Sequence, residues 1–293
     1  MRKLKTFFIV CAAVFVVGMI MSIAGFGSGG VQGFEAVAED HDWVSAGPGS
    51  RVTTEMNDLD FDSIEAVGPT EVVIVGEREY AEIVGEYGLE TAAKPKAGTA
   101  VAIFGKNNHA PVMEMDGKTL RISRDQDSKV NGVYLNFSSE DAYPTVIVFC
   151  PDKQLEQIKV NSSYSDVDLR SISFKRAEIM LNFGDIEAEN IVSRGITIES
   201  DDGDVELSGD LKGQTNVKAE RGDIDIDTKT ALKEYTMKLA ASVGEITIGD
   251  GEGKFMDTDE EGYSYIQDGG EDALILKADT GDIELSSGEA DFD

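Results

Sequence analysis

Residues 218–228 read KAERGDIDIDT, and within them Arg221-Gly222-Asp223 spells the tripeptide that animal integrins recognise. Either the triplet is a ligand displayed on a loop, or the fold requires part of it. The surrounding sequence decides. The same register recurs as YSDVDL, FGDIEA, DGDVEL, RGDIDI, VGEITI and TGDIEL, with Ser165, Gly184, Gly203, Gly222, Gly244 and Gly281 in the second place. Three successive intervals are 19 residues, the next is 22 and the last is 37. A repeated interval with repeated chemistry marks stacked supersecondary units. The residue ahead of each glycine varies freely (Phe183, Asp202, Arg221, Val243, Thr280), so arginine at 221 is one choice at a variable position. The triplet is read as a feature of the fold.

One unit follows from elementary physics. Glycine permits positive φ at a tight turn, and the acid beside it tolerates turns. Acid and apolar residues then alternate, the period-2 signature of a strand with one buried face. Val167, Leu169, Ile186, Val205, Leu207, Ile224, Ile226, Ile246, Ile248, Ile283 and Leu285 are expected inside. Upstream of the turns, apolar pairs such as Ile179/Leu181, Ile196/Ile198, Met237/Leu239 and Leu274/Leu276 mark a preceding strand. Each unit is therefore strand, turn, strand, too short to bury a core alone but able to do so when stacked. The expected class is all-β, a solenoid-like stack. An antiparallel hairpin meander is the rival, because Gly-Asp also suits hairpin turns.

Farther out, the runs EVVIVG, TAVAIFG, TLRIS and PTVIVFC read as short strands. The stretch EREYAEIVGEYGLETAAK is the best helical candidate, weakened by its two glycines. At the start, MRKLKTFFIVCAAVFVVGMIMSIAG places Arg2, Lys3 and Lys5 before an uncharged run from Phe7 to about Ala24. That pattern implies a membrane anchor or a cleaved signal peptide, with the rest of the chain outside the cell in either case. Cys11 within the run makes a poor lipobox, which argues against a lipoprotein. The expected organisation is 1–24 anchor or signal, 25–60 glycine-rich and then acidic linker, 61–151 β lead-in, and 152–293 repeat region.

Among 293 residues, 56 acids face 26 bases, for a formal net charge of −30. Such a charge argues against nucleic-acid binding and fits a solvated extracytoplasmic protein or a cation binder. The hydrophobic share of 41% is too high for a disordered acidic chain. With Cys11 in the apolar run, Cys150 has no evident partner, so no disulfide framework exists.

The lead FDSIEAVGPTEVVIVG, the middle GKTLRIS, the junction PTVIVFCPDKQLEQIKVNSSYSDVDL and the G-D-[IV]-x-[LI] units together resemble the bacterial putative-adhesin domain of unknown function. The resemblance covers roughly residues 61–288. It implies an all-β, solenoid-like envelope protein, with some relatives associated with envelope-stress responses. It brings no catalytic residues.

Outward positions after each turn are Asp166, Asp168, Asp185, Glu187, Asp204, Glu206, Asp223, Asp225, Glu245, Thr247, Asp282 and Glu284. In a stack in register, equivalent acids lie about 4.8 Å apart and repel by roughly 0.9 kcal/mol per pair in bulk water. Asp204, Glu206, Asp223 and Asp225 are thus candidate calcium-contacting residues, and the alternative is a solvated face that discourages association. A second calcium candidate is DTDEEGYSYIQD, with Asp257, Asp259, Glu261 and Asp268 at alternating and terminal positions around Gly262. Against it stand the terminal Asp and the lack of flanking helices. His41 and His109 have no metal spacing, and no nucleophile elbow or phosphate loop occurs. The function expected is a non-enzymatic extracytoplasmic envelope protein binding a cell-surface polymer or protein. The alternatives are a β-helical carbohydrate-active enzyme, with Tyr263 and Tyr265 available to stack on sugars, and a calcium-stabilised surface module.

Overall fold

The computed structural model describes residues 54–68, 70–86, 99–104, 111–124, 145–151, 154–249, 256–257 and 263–288. All of them fall in one compact unit. The expected N-terminal anchor or signal, most of the linker, both histidines, Asp259 and Glu261 lie outside the described residues. Among the described residues no helix is long and apolar enough to cross a membrane.

In chain order the strands are β1 (Thr54–Leu59), β2 (Ser63–Val67), β3 (Glu71–Val75), β4 (Thr99–Phe104), β5 (Val112–Asp116), β6 (Thr119–Ser123), β7 (Thr145–Phe149), β8 (Gln154–Ser162) and β9 (Val167–Arg170). There follow β10 (Ser173–Leu181), β11 (Ile186–Ser200), β12 (Val205–Arg221), β13 (Ile224–Thr228), β14 (Thr236–Ala241), β15 (Ile246–Ile248), β16 (Met256–Asp257), β17 (Tyr263–Gln267), β18 (Ala273–Thr280) and β19 (Ile283–Ser287). The one α-helix described, α1 (Tyr80–Glu86), lies within the predicted helical stretch. The expected linker ends in β1, which pairs antiparallel with β4; its sequence, TEMNDL, lacks the alternation that marks the other strands.

Pairing between successive units is parallel, so the hairpin-meander rival is excluded. Here β10 pairs in parallel with β8 and with the second half of β11, while β9 pairs with the first half of β11. The long strands β11 and β12 each turn a corner and serve two sheets. A first sheet thus runs β5-β6-β2-β8-β10-β11-β12-β18-β14-β17-β16, and a second runs β1-β4-β7-β3-β9-β11-β12-β13-β19-β15. Each rung contributes one strand to each sheet. The lead-in strands β2 and β3 pair with β8 and β9, so they belong to the same stack as the repeats.

The expected inward residues meet in a common core. Val167, Leu169, Ile186, Val205, Leu207, Ile224, Ile226, Ile246, Ile283 and Leu285 are buried, as are the upstream pairs. Ile248, on the short edge strand β15, is half-buried and packs against this core. At the far end Tyr235 is buried whole, its hydroxyl donating to the Leu211 carbonyl (2.8 Å) and sharing a hydrogen bond with Thr228 (2.7 Å). Buried tyrosine needs such partners.

The 37-residue interval leaves Gly281 in the glycine column. What changes is the order: the 273–287 rung lies between the 214–228 and 236–248 rungs. The other end mirrors this, because the first rung, β2–β3, lies between β6–β7 and β8–β9.

Candidate functional site: two aspartate and glutamate ladders

The glycine corner is the tightest part of each rung. Gly184, Gly203, Gly222, Gly281 and Gly244 form one column, each with φ between +127° and +147°. A Cβ on Gly222 would come within 2.1 Å of the Gly203 carbonyl oxygen, and the contact repeats along the column. Only glycine fits, for conformation and for space.

The acid after each glycine is outward and exposed as expected, and the corner aspartates also bind the backbone. Asp166 Oδ1 accepts the backbone N–H of Asp185 (3.0 Å), Asp185 that of Asp204 (2.9 Å), and Asp204 that of Asp223 (2.8 Å). Asp223 accepts from Asp282 (2.7 Å), and Asp282 from Glu245 (2.8 Å). These carboxylates tie rung to rung. Asp204 and Asp223, two of the calcium candidates, each have one oxygen committed to this ladder. The physical reason is reach: a single methylene sets the aspartate oxygen over the neighbouring N–H, and a charged acceptor strengthens the bond.

Arg221-Gly222-Asp223 is explained in full. Gly222 and Asp223 occupy the column, and Arg221 is exposed, its Nε donating to Asp202 at 3.0 Å.

Two residues beyond each corner aspartate lies a second ladder. Asp168, Glu187, Glu206, Asp225 and Glu284 are in register across β9, β11, β12, β13 and β19, and Thr247 of β15 ends the row. At the opposite end Arg170 caps it, with Nε 2.8 Å from Asp168 and Nη2 3.8 Å from Glu187. Counting only residues 186–189 of β11 and 205–209 of β12, which are the parts that pair in this second sheet, Arg170 is the only basic residue among its described strands. Toward the middle, no basic side chain among the described residues pairs with the row. Burial first, then Glu187 and Asp225 in the adjoining rungs with Asp204 and Asp185, push the Glu206 carboxyl above the ordinary range. Burial, then Glu284 and Asp227, do the same to Asp225.

The first sheet differs. Its outward positions carry matched pairs: Arg121–Glu65 (2.8 Å), Lys159–Glu178 (3.7 Å), Lys175–Glu156 (2.6 Å), Lys218–Glu220 (3.2 Å) and Lys277–Asp279 (2.6 Å). The lysine beside it holds the Asp279 carboxyl below its usual value. One sheet is charge-compensated and the other is not.

Of the second calcium candidate, only the backbone of Asp257 and residue Asp268 fall among the described residues. Asp257 pairs with Tyr263, and β17 then runs extended to Gln267, next to Asp268. Five residues of strand correspond to about 17 Å, so Asp257 and Asp268 are spaced along a strand rather than drawn around one point. Tyr265 packs against the core and donates to Gln267 (2.9 Å), as a packing residue does. Among the described residues no three His, Cys, Asp or Glu side chains converge to hold a metal ion.

Sequence reasoning missed the corner opposite the glycines. There Ser171 and Asn190 both take φ 51°, and Gly209 takes 143°. Their 19-residue spacing was visible, but the residue type changes at each step, so no motif announced it.

Comparison with known proteins comes last. No curated protein matches the chain. A structure described as a putative cell adhesion protein from Clostridium sporogenes is similar, at 13% identity and TM-score 0.46, over 81% of this chain and 99% of that one. A putative adhesin from Bacteroides fragilis gives 14%, TM-score 0.41, and 82% and 97% coverage. A putative lipid binding protein from Parabacteroides distasonis gives 15%, TM-score 0.32, and 83% and 98%. TM-scores this low carry no argument about function. The sequence match is firmer: residues 94–290, the greater part of the chain, match one family throughout, and the parallel rungs and the glycine column agree with it, so the chain belongs to the Toastrack DUF4097 family.

Proposed function

We propose that this chain is a non-enzymatic binding domain displayed outside the cell and held to the envelope by its N-terminal apolar segment. The surface it offers is the ladder Asp168-Glu187-Glu206-Asp225-Glu284. The observation that supports this reading is that, among the described residues, Glu206, Asp225 and Glu284 of that row have no basic partner, while the outward face of the other sheet carries five acid–base pairs. A rigid file of carboxylates about 4.8 Å apart favours an extended cationic partner such as a basic surface polymer or protein segment. Electrostatic complementarity of this kind sets on-rate and partner choice more than raw affinity. An envelope-stress role uses the same surface as a sensor of cationic ligands.

The test is retention of the protein on beads coated with poly-lysine, a neutral glucan or a polyanion, with increasing NaCl. Retention on poly-lysine alone, lost with salt and weakened by Glu206→Gln with Asp225→Asn, supports the proposal. Equal retention on all three surfaces refutes it.

A second reading is a calcium-stabilised surface module, favoured by the raised carboxyls of Glu206 and Asp225. Asp204, Glu206, Asp223 and Asp225 supply oxygens for it. Thermal stabilisation by calcium beyond that of equal ionic strength checks it. No observation favours a carbohydrate-active enzyme, since the two raised carboxyls stand on an exposed strand face.

A further inference from the structure

Of the sheet ends in this stack, all but one are closed by an antiparallel strand laid on the last parallel one: β5 on β6, β4 on β7, and β17 on β14. A repeat stack needs such caps, because its end rungs otherwise present core and backbone to water. The exception is β15, which among the described residues pairs only with β19. The cap on β14 does not continue round the corner to cover it. Instead β16 folds back onto β17, with Met256 opposite Ser264 and Asp257 opposite Tyr263.

What this edge presents follows from the rungs inside. Gly222 donates to the Thr280 carbonyl (3.0 Å) and Gly281 to the Val243 carbonyl (2.9 Å). Ile224 donates to the Asp282 carbonyl (2.9 Å) and Ile283 to the Glu245 carbonyl (2.9 Å). The glycine and the first inward residue of a rung thus aim their N–H groups at the next rung. For the 236–248 rung, no next rung exists among the described residues. Its pairing with β19 uses the alternate positions, as Glu245 accepts from Ile283 and Gly249 donates to the Leu285 carbonyl (2.7 Å). Gly244, Ile246 and, by strand alternation, Ile248 therefore turn their backbone groups to the open side. Neither lysine nor proline, the usual guards of an exposed edge, occurs in residues 243–249. Val243 beside it is 65% exposed, and Ile248 is only half-buried.

We propose that β15 is a docking edge for an extended basic segment of another protein, which pairs with residues 244–248 as one further strand. The charge around the edge selects the partner. Glu245, Asp282 and Glu284 are exposed on the last two rungs, with no basic side chain in the described strands of β13, β19 and β15. A second copy of this chain, at net charge −30, meets repulsion there, whereas a basic segment meets attraction. In the added strand, residues opposite Ile246 and Ile248 point inward and cover the end of the core, so they are apolar. The residue opposite Thr247 points outward next to the acidic row, so it is basic. This site is the strand edge rather than the outward face of the ladder, and it stands whether or not that face binds a partner.

The test is binding of capped octapeptides to the full-length chain in mild detergent, read by fluorescence anisotropy at one ionic strength. One peptide alternates valine and lysine. A second alternates proline and lysine, with the same charge but no ability to pair as a strand. A third alternates valine and glutamate. The valine–lysine peptide should bind at least about tenfold more tightly than either control and should slow amide exchange at Gly244, Ile246 and Ile248. Ile248→Pro removes an open-side N–H and sets a ring in the path of the added strand, yet leaves the pairing with β19, and it should abolish the preference. A preference unchanged by Ile248→Pro overturns the proposal, as does the lack of any binding. Equal affinity for either control peptide also overturns it; where the proline–lysine peptide is the equal, charge alone explains binding and the ladder reading is left intact. Dimerisation of the free chain that Ile248→Pro removes assigns the edge to a second copy and overturns the proposal too.

Discussion

At Gly222 the cost of change is set by a single carbonyl. Gly222→Ala drives a Cβ against Gly203 at a φ that L-residues avoid, and it should cost at least about 2 kcal/mol. Arg221→Ala removes only an exposed pair with Asp202 and should change stability by less than about 0.5 kcal/mol. Denaturant titration of the two variants reads the contrast directly. The corner aspartates give a finer test. Asp223→Ala leaves the exposed Asp282 N–H without its carboxylate acceptor, a loss of about 0.5–1.5 kcal/mol, whereas Asp223→Asn keeps the oxygen and should recover most of it. If asparagine is as damaging as alanine, the negative charge matters and the bond does not.

At the scale of a strand, β13 shows how its two faces divide the work. Ile224 is fully buried between neighbouring rungs, so Ile224→Asp places an unpaired charge in the core and should unfold the stack. Asp225, one residue on, faces outward in the acidic ladder, and its effect has the opposite sign. Glu206 and Asp225 titrate above their ordinary values in the folded chain. A group whose folded value is raised contributes stability that is full below the unfolded value and is lost as pH rises through the folded one. These two carboxyls therefore favour the fold fully below about pH 4, the ordinary carboxylate range, and lose that contribution as pH rises through their folded values. Asp279, whose value is lowered by Lys277, works the other way and loses its contribution as pH falls. Glu206→Gln with Asp225→Asn should raise the melting temperature at pH 7 and flatten its rise with added NaCl. A double variant that melts lower than the parent at pH 7 would mean that the ladder is held by an attraction rather than strained by repulsion.

For the whole molecule, the permuted order of rungs predicts where the stack is firmest. Chain ends ordinarily fray, but the C-terminal rung is paired on both sides. Amide exchange at Leu274, Leu276, Ile283 and Leu285 should be among the slowest in the protein, and that at Ile246 and Ile248 of edge strand β15 faster. Exchange at the C-terminal rung faster than at β15 would contradict the placement of the last rung inside the stack.

The periodic part of this architecture was legible from one stretch of sequence. Glycine, acid and an alternating strand at a 19-residue interval dictate a turn, an inward face and a column, because each follows from the local rules of one rung repeated. The outward acids of the second ladder were legible for the same reason. Two features were not. The aspartate ladder depends on which N–H lies above a side chain, and the order of the last rungs depends on which strand edge a distant segment reaches. Both are relations between rungs, so they arise only when the rungs are brought together. One trace of them did lie in the sequence: the corner acid is Asp at 166, 185, 204, 223 and 282, and Glu only at 245. Its rung is the last of the column, where, among the described residues, no further corner N–H requires an aspartate's short reach. That one methylene marked the end of the stack, and only the tertiary structure gave it meaning.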